Sequence, residues 1–140
     1  RIYNMHFHVH PDIRFKALWF FTGVALIALV IYLSLTSSPV DTGLNFPYED
    51  KLYHALAYLA LMGWFGQIYH TTRQRNIFAT LFIILGLSME YMQSFDPNRM
   101  AEFADMVANV AGVLLGYMLT TTGLKNTLLV IEQKLFSWIR

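Results

Sequence analysis

Four long apolar stretches dominate this chain of 140 residues and leave room for little else. A helix needs about 20 mostly apolar residues to cross the hydrocarbon core of a bilayer. Such stretches occur at about residues 17–35, 50–69, 77–95 and 103–122, separated by short polar segments, of which residues 36–49 are rich in Pro, Gly, Ser and Thr. We therefore predict an all-α integral membrane protein in which the four stretches form a four-helix bundle.

The composition agrees with this fold class and excludes several functions. Hydrophobic residues make up 56% of the chain and charged residues only 14%, whereas about a quarter of the residues are charged in a typical soluble domain. The formal net charge of +1 comes without a basic stripe, so nucleic acid is not expected as a partner. Cysteine is absent from the sequence, which excludes disulfides and thiolate chemistry.

The chain divides into three segments. Residues 1–16 form a polar N-terminal segment that contains His6, His8 and His10, and residues 17–123 form the membrane domain. Residues 124–140 differ from both because they are amphipathic. One helical face is apolar and comprises Leu124, Leu128, Ile131, Leu135, Trp138 and Ile139; Lys125, Glu132, Gln133, Lys134 and Arg140 lie mostly around the other. We predict a C-terminal amphipathic helix that lies on the membrane interface or on a partner protein.

Basic residues predict the orientation. Eight of the ten lysine and arginine residues lie before the first stretch, between the second and third, or after the fourth. These three segments share a side if the chain crosses the membrane four times. Because cytoplasmic loops carry an excess of Lys and Arg, both termini are predicted to be cytoplasmic.

Polar side chains lie inside three of the four stretches, all near the predicted outer side. They are Asp50, Lys51 and His54 in the second, Glu90 and Gln93 in the third, and Asp105 and Asn109 in the fourth. Charge within a bilayer is costly, so such groups are usually buried and paired, and they often serve function. Helical spacing puts the polar residues of each stretch on one stripe, with Lys51 beside it, and the three stripes continue to Tyr58, Gly86 and Gly112. The stripes are expected to converge, with Arg99 from the next loop folding over them.

The residue types at this convergence allow several kinds of chemistry. His54 titrates near neutrality and, with Glu90, is the candidate acid–base pair. Lys51 and Arg99 form a candidate clamp for an anion. The other predicted binding or orienting groups are Asp50, Gln93, Asp105 and Asn109.

Two other interpretations of the same residues remain open. The charges can cancel one another in a purely structural network, since polar contacts hold helices together in lipid. His54, Glu90 and Asp105 can also be combined into a metal site, although no tight ligand spacing supports it. The sequence therefore predicts no metal and no cofactor.

A small-xxx-small motif occurs in the fourth stretch. Gly112 and Gly116 are four residues apart, and glycines at this spacing let two helix backbones approach closely. We expect both glycines at a close contact with the second or third stretch.

The polar residues also form an ordered pattern. Asp50-Lys51-Leu-Tyr-His54 is followed by Glu90-Tyr-Met-Gln93, by Pro97-Asn-Arg99 and by Asp105-Met-Val-Ala-Asn109-Val-Ala-Gly112. Over about residues 17–120 this pattern resembles the VanZ-like family of small bacterial membrane proteins. The resemblance implies a four-span bundle in the bacterial cytoplasmic (inner) membrane, with the quoted residues as signature positions. The family's namesake is linked to resistance to the glycopeptide teicoplanin.

Three functions follow as expectations. The first is an envelope protein whose outward polar cluster binds, or acts on, a lipid-linked or envelope headgroup, with membrane lipids as partners. The second is an accessory or structural subunit that docks on a larger membrane complex through the first span or the C-terminal helix. The third, a proton- or cation-coupled carrier, is disfavoured because four helices leave little room for two gates.

Overall fold

Five α-helices and one short 3₁₀ turn make up the described part of the chain, residues 8–36, 43 and 46–139 of a computed structural model. The helices are α1 (Lys16–Leu35), α2 (Glu49–Ile68), α3 (Thr72–Gln93), α4 (Phe103–Thr121) and α5 (Thr127–Leu135), followed by the 3₁₀ turn Ser137–Ile139. No strand occurs among these residues, which confirms the all-α class. His6 and most of the polar segment between α1 and α2 lie outside the described residues.

Three of the four long helices are long and apolar enough to cross a membrane, namely α1, α3 and α4. The second helix, α2, is less apolar because it carries Lys51, His54 and Gln67. It also lies deepest in the bundle, with Tyr58, Phe65 and several aliphatic side chains buried against its neighbours. A central helix exposes less surface to lipid and therefore tolerates more polar residues. Three spans are thus supported by composition, and the crossing by α2 stays a prediction.

Helix α3 begins at Thr72, five residues earlier than the apolar pattern predicts. Thr71 and Gln74 form a capping box, in which the Thr71 hydroxyl accepts from the Gln74 backbone N–H and the Gln74 side chain accepts from the Thr71 backbone N–H. This cap satisfies two of the free N–H groups at the helix start. The predicted polar turn at 70–75 is therefore shorter, and Arg73 and Arg75 belong to the first turn of α3.

The closest helix contact joins α2 and α4. A Cβ placed on Gly112 would collide with the carbonyl of Ala55, and one on Gly116 would lie 2.7 Å from the Leu59 carbonyl oxygen. Both obstacles are backbone atoms, which a side-chain rotation cannot remove. The predicted close approach at the two glycines is confirmed, and the partner helix is α2.

Helix α5 packs against the bundle at the end opposite to the polar stripes. Leu128 is buried there, and its backbone N–H donates to the side-chain oxygen of Gln67 on α2. Ile131 and Leu135 of α5 and Trp138 in the following turn remain exposed, so the predicted contact with the membrane interface or a partner stays a prediction.

Glu132 corrects the sequence analysis, which placed it on the polar face of this helix. Its side chain is buried and accepts hydrogen bonds from the backbone N–H groups of Arg14 (2.8 Å) and Phe15 (3.0 Å) and from the Trp19 indole (2.6 Å). The start of a helix presents N–H groups without intrahelical partners. The Glu132 carboxylate accepts from Phe15, the N-cap residue of α1, and from Arg14 just before it, and thereby ties α5 to the start of α1.

Candidate functional site: a polar cluster at one end of the bundle

The polar stripes converge where α2 begins, α3 ends and α4 begins. The residues gathered there, called the polar cluster below, are Asp50, Lys51, His54, Glu90, Glu102, Asp105 and Asn109. Consecutive antiparallel helices bring the start of α2 beside the end of α3, and the start of α4 returns to the same level. Six of the eight residues predicted as site residues therefore meet in one place.

The inner part of the polar cluster is formed by His54, Glu90 and Asn109. His54 Nδ1 lies 3.0 Å from Asn109 Oδ1 and 3.4 Å from Glu90 Oε1. The Asn109 amide nitrogen lies 3.5 Å from the same Glu90 oxygen. One residue from each of three helices thus contacts both of the others, and the Glu90 side chain is fully buried, at 0% exposed.

Lys51 dominates the outer part. Its ammonium nitrogen lies 2.6 Å from Asp50 Oδ2, 2.7 Å from Glu102 Oε2 and 2.9 Å from Asp105 Oδ1. An ammonium has three N–H donors, so three carboxylates occupy its donor capacity. Such an ammonium is poorly placed to clamp an anion, which is the role the residue types alone had indicated.

The side chains of the polar cluster range from exposed to fully buried. Asp50 and Glu102 have largely exposed side chains, while those of Lys51 and His54 are each 17% exposed. Glu90 lies beneath them with no exposed surface. His54 is therefore the group that both reaches solvent and contacts the buried carboxylate.

Gln93 and Arg99 hold the end of α1 instead of contacting this inner part. The Gln93 amide donates to the Ser34 carbonyl at 2.7 Å, and the Arg99 guanidinium donates to the Thr36 carbonyl at 3.3 Å. These carbonyls belong to the last turn of a helix, where intrahelical donors are lacking. Arg99 also acts electrostatically on Glu90, so it belongs to the rim of the same site.

Two buried polar atoms beside this inner part have no hydrogen-bond partner in the protein. They are Glu90 Oε2 and the hydroxyl oxygen of Tyr58. Gly86 makes room for Tyr58, since a Cβ there would lie 3.3 Å from Tyr58 Cζ and 3.0 Å from Asn109 Cβ. Leaving a buried polar group unpaired costs about 1–3 kcal/mol. The polar capacity here exceeds what the surrounding side chains satisfy.

Sequence reasoning missed Glu102, which is one of the three carboxylates that contact the Lys51 ammonium. Its position three residues before Asp105 was the available signal, because it puts both side chains at the start of α4. It was overlooked because it precedes the apolar stretch. Tyr58 was placed on the correct stripe but without a role.

Comparison with known proteins places these residues in a family. The profile of the family described as VanZ/LLP1 matches residues 3–126. The chain belongs to the VanZ/LLP1 family. That match includes α1 to α4 and every residue of the polar cluster, and it agrees with the resemblance seen in the ordered motifs.

A eukaryotic protein is also similar to this chain. It is an uncharacterized protein of the fission yeast Schizosaccharomyces pombe, 30% identical over 115 residues, which are 80% of this chain and 67% of the yeast protein. No solved structure matches the chain. Family membership supports a membrane protein and leaves the chemistry to be argued from the polar cluster.

Proposed function

We propose that this VanZ/LLP1 protein binds the polar headgroup of a membrane lipid or a lipid-linked envelope component in its polar cluster. In this proposal the protein lies in the cytoplasmic membrane of a bacterium, with the polar cluster facing outward. A headgroup arriving from the outer leaflet would meet the accessible side chains first and the buried ones last.

The observation that carries this proposal is the unpaired oxygen of the fully buried Glu90, beneath a partly exposed His54. A network that served only to hold helices together would match its donors and acceptors internally, because each unmatched group is costly at low dielectric. The unmatched Glu90 oxygen is itself buried, so a ligand would reach it past His54, the partly exposed side chain that contacts Glu90.

The charges of the polar cluster favour one kind of headgroup. Lys51 is surrounded by carboxylates, so a group that offers positive charge or hydrogen-bond donors suits the site better than a bare anion does. Ammonium groups and sugar hydroxyls meet this requirement. Since His54 and Glu90 lie 3.4 Å apart, they can also pass a proton to or from the bound group.

The test is native mass spectrometry of lipids that remain bound after purification in mild detergent. We expect a lipid with an amine or sugar headgroup on the wild-type protein and a marked loss of it in Glu90→Gln. Glu132→Gln is the matched control, because it alters a buried carboxylate at the other end of the bundle. Equal lipid retention by a folded Glu90→Gln protein would contradict the proposal.

An accessory role is the second candidate, and the exposed face of α5 favours it. Ile131 and Leu135 are exposed on that face, and Trp138 in the following turn is 77% exposed. A protein chain that co-purifies in a fixed ratio, and is lost when Trp138 is replaced by Ser, would support docking there. Absence of any partner chain after purification in mild detergent would contradict docking and support the lipid interface instead.

A further inference from the structure

We infer that the polar cluster binds one divalent cation through His54 and Glu90 of its inner part and Asp105 beside them. This inference goes beyond headgroup binding and does not depend on it, since a cation can be measured on the protein without a lipid.

The first support is geometric. His54, Glu90 and Asp105 come from three different helices, yet each offers a ligand atom within 4.8 Å of those of the other two. Metal–ligand bonds of about 2.0–2.6 Å place two ligands of one ion at most about 4–5 Å apart. The three side chains therefore lie close enough together to serve as ligands of one ion after small side-chain adjustments. Asn109 contacts both His54 and Glu90 and so orients two of the three ligands, as outer residues of metal sites commonly do.

The second support is independent of the ligand spacing. Glu90 Oε2 is buried without a partner, and a cation would give it one. The Tyr58 hydroxyl is also unpartnered, in a side chain that is 1% exposed. Its ring end lies against Gly86, as does the Asn109 amide, which itself contacts His54 and Glu90. A water molecule on the cation would provide that hydroxyl with a hydrogen bond.

The third support is the charge balance. Asp50, Glu90, Glu102 and Asp105 supply four carboxylates, whereas Lys51 and Arg99 supply two positive charges. Carboxylates therefore outnumber these basic side chains by two, and a divalent cation balances the difference. Charge is costly in and near the hydrocarbon region, so a neutral site is favoured there.

The donor set indicates which ions fit. Two carboxylates and one imidazole suit Mn²⁺, Fe²⁺ and Zn²⁺, whereas Mg²⁺ and Ca²⁺ prefer oxygen ligands alone. Mn²⁺ is the probe of choice because its binding is directly visible in electron paramagnetic resonance (EPR) spectra.

The experiment is a Mn²⁺ titration of the full chain in nanodiscs after treatment with a chelator. It uses a background in which His6, His8 and His10 are replaced by Ala, so that the N-terminal histidines cannot bind metal. We expect one Mn²⁺ per chain and a higher melting temperature when Mn²⁺ is present. Glu90→Gln should lower the affinity by at least about 10-fold, since changes even outside the ligand shell cost 10–100-fold. Glu132→Gln should bind as the background does.

Three results would overturn the inference. They are no saturable binding at millimolar Mn²⁺, unchanged affinity in a folded Glu90→Gln protein, or equal loss of binding in Glu132→Gln. If Glu90→Gln does not fold, the background protein decides, because bound Mn²⁺ should show coupling to a histidine nitrogen that changes on ¹⁵N-histidine labelling and is lost in His54→Gln, which retains His70. Absence of that coupling rejects the site. Cation binding with unchanged lipid retention would reject only the headgroup proposal, and lipid retention without cation binding would reject only this one.

Discussion

At the scale of single residues, the glycines of α4 allow a matched comparison. Gly112→Ala puts a Cβ against the Ala55 carbonyl of α2, and only separation of the two helices can relieve this contact. We expect a loss of about 1–3 kcal/mol in the free energy of unfolding, the usual range for overpacking. Gly63→Ala is the control, because a Cβ there meets nothing within 4 Å. Alanine favours helix over glycine by up to about 1 kcal/mol, so this variant should be as stable as wild type or more so. Equal melting temperatures in detergent would contradict the close contact.

Glu132 predicts a dependence on pH at the same scale. Burial raises the pKa of its carboxyl, but hydrogen bonds from Arg14, Phe15 and Trp19 outweigh this and lower the pKa below its usual 4.5. A lowered pKa in the folded state means that the ionised carboxylate stabilises the fold above the unfolded-state pKa. This stability is lost as the pH falls below about 4.5 and through the folded-state value.

The measurement is the melting temperature of wild type and Glu132→Gln between pH 7 and pH 3. The difference between the two proteins should be largest at pH 7 and shrink in the acidic range, because glutamine does not titrate. A difference that stays constant over this range would show that ionisation of Glu132 contributes nothing.

Much of the polar cluster could be predicted from the sequence, and particular residues show why. His54 and Tyr58 are one helical turn apart and therefore share a helix face. Because exposing charged groups to lipid is energetically costly, this face was expected to pack against Glu90 and Asp105. Glu132 could not be placed in this way. A helical wheel groups it with Lys125 and Lys134, and its partner Trp19 lies 113 residues away in the chain.

At the scale of the elements, the contact between α1 and α5 leads to a prediction. Trp19→Phe keeps an aromatic ring but removes the indole N–H that donates to Glu132 at 2.6 Å. We expect faster amide hydrogen exchange in residues 127–135, because their docking onto α1 is weakened. Trp138→Phe is the control, since that indole donates to Leu135 within its own turn and its ring is exposed. Unchanged exchange in Trp19→Phe would mean that the aliphatic contacts of α5 suffice.

The boundaries of the elements show where a sequence pattern is weakest. The apolar pattern placed the start of the third helix at residue 77, whereas α3 starts at Thr72. Because its first turn is polar, a hydropathy pattern does not detect it, and only the Thr71–Gln74 capping box indicates where the helix begins. The second helix shows the converse case. Its bounds, Glu49–Ile68, agree with the predicted stretch to within one residue, yet it falls short of the apolarity expected of a span and is not among the candidate spans.

At the scale of the whole molecule, the number of crossings fixes the relation of the termini. If α2 crosses with α1, α3 and α4, the two termini lie on one side; if only those three cross, they lie on opposite sides. Lysine and arginine before α1, at the start of α3 and after α4 favour four crossings with a cytoplasmic N terminus and C terminus.

Reporter fusions test this topology directly. A reporter after Arg140, or within residues 73–75, should score cytoplasmic, and one within residues 41–46 should score external. An external reporter after Arg140 together with a cytoplasmic one at the N terminus would show that one helix does not cross, and α2 is the candidate because of its composition.

Reversal of all three sites would put the polar cluster on the cytoplasmic side. Its headgroup would then have to come from the inner leaflet, while the cation site would be unaffected, because its ligands depend only on the packing of α2, α3 and α4.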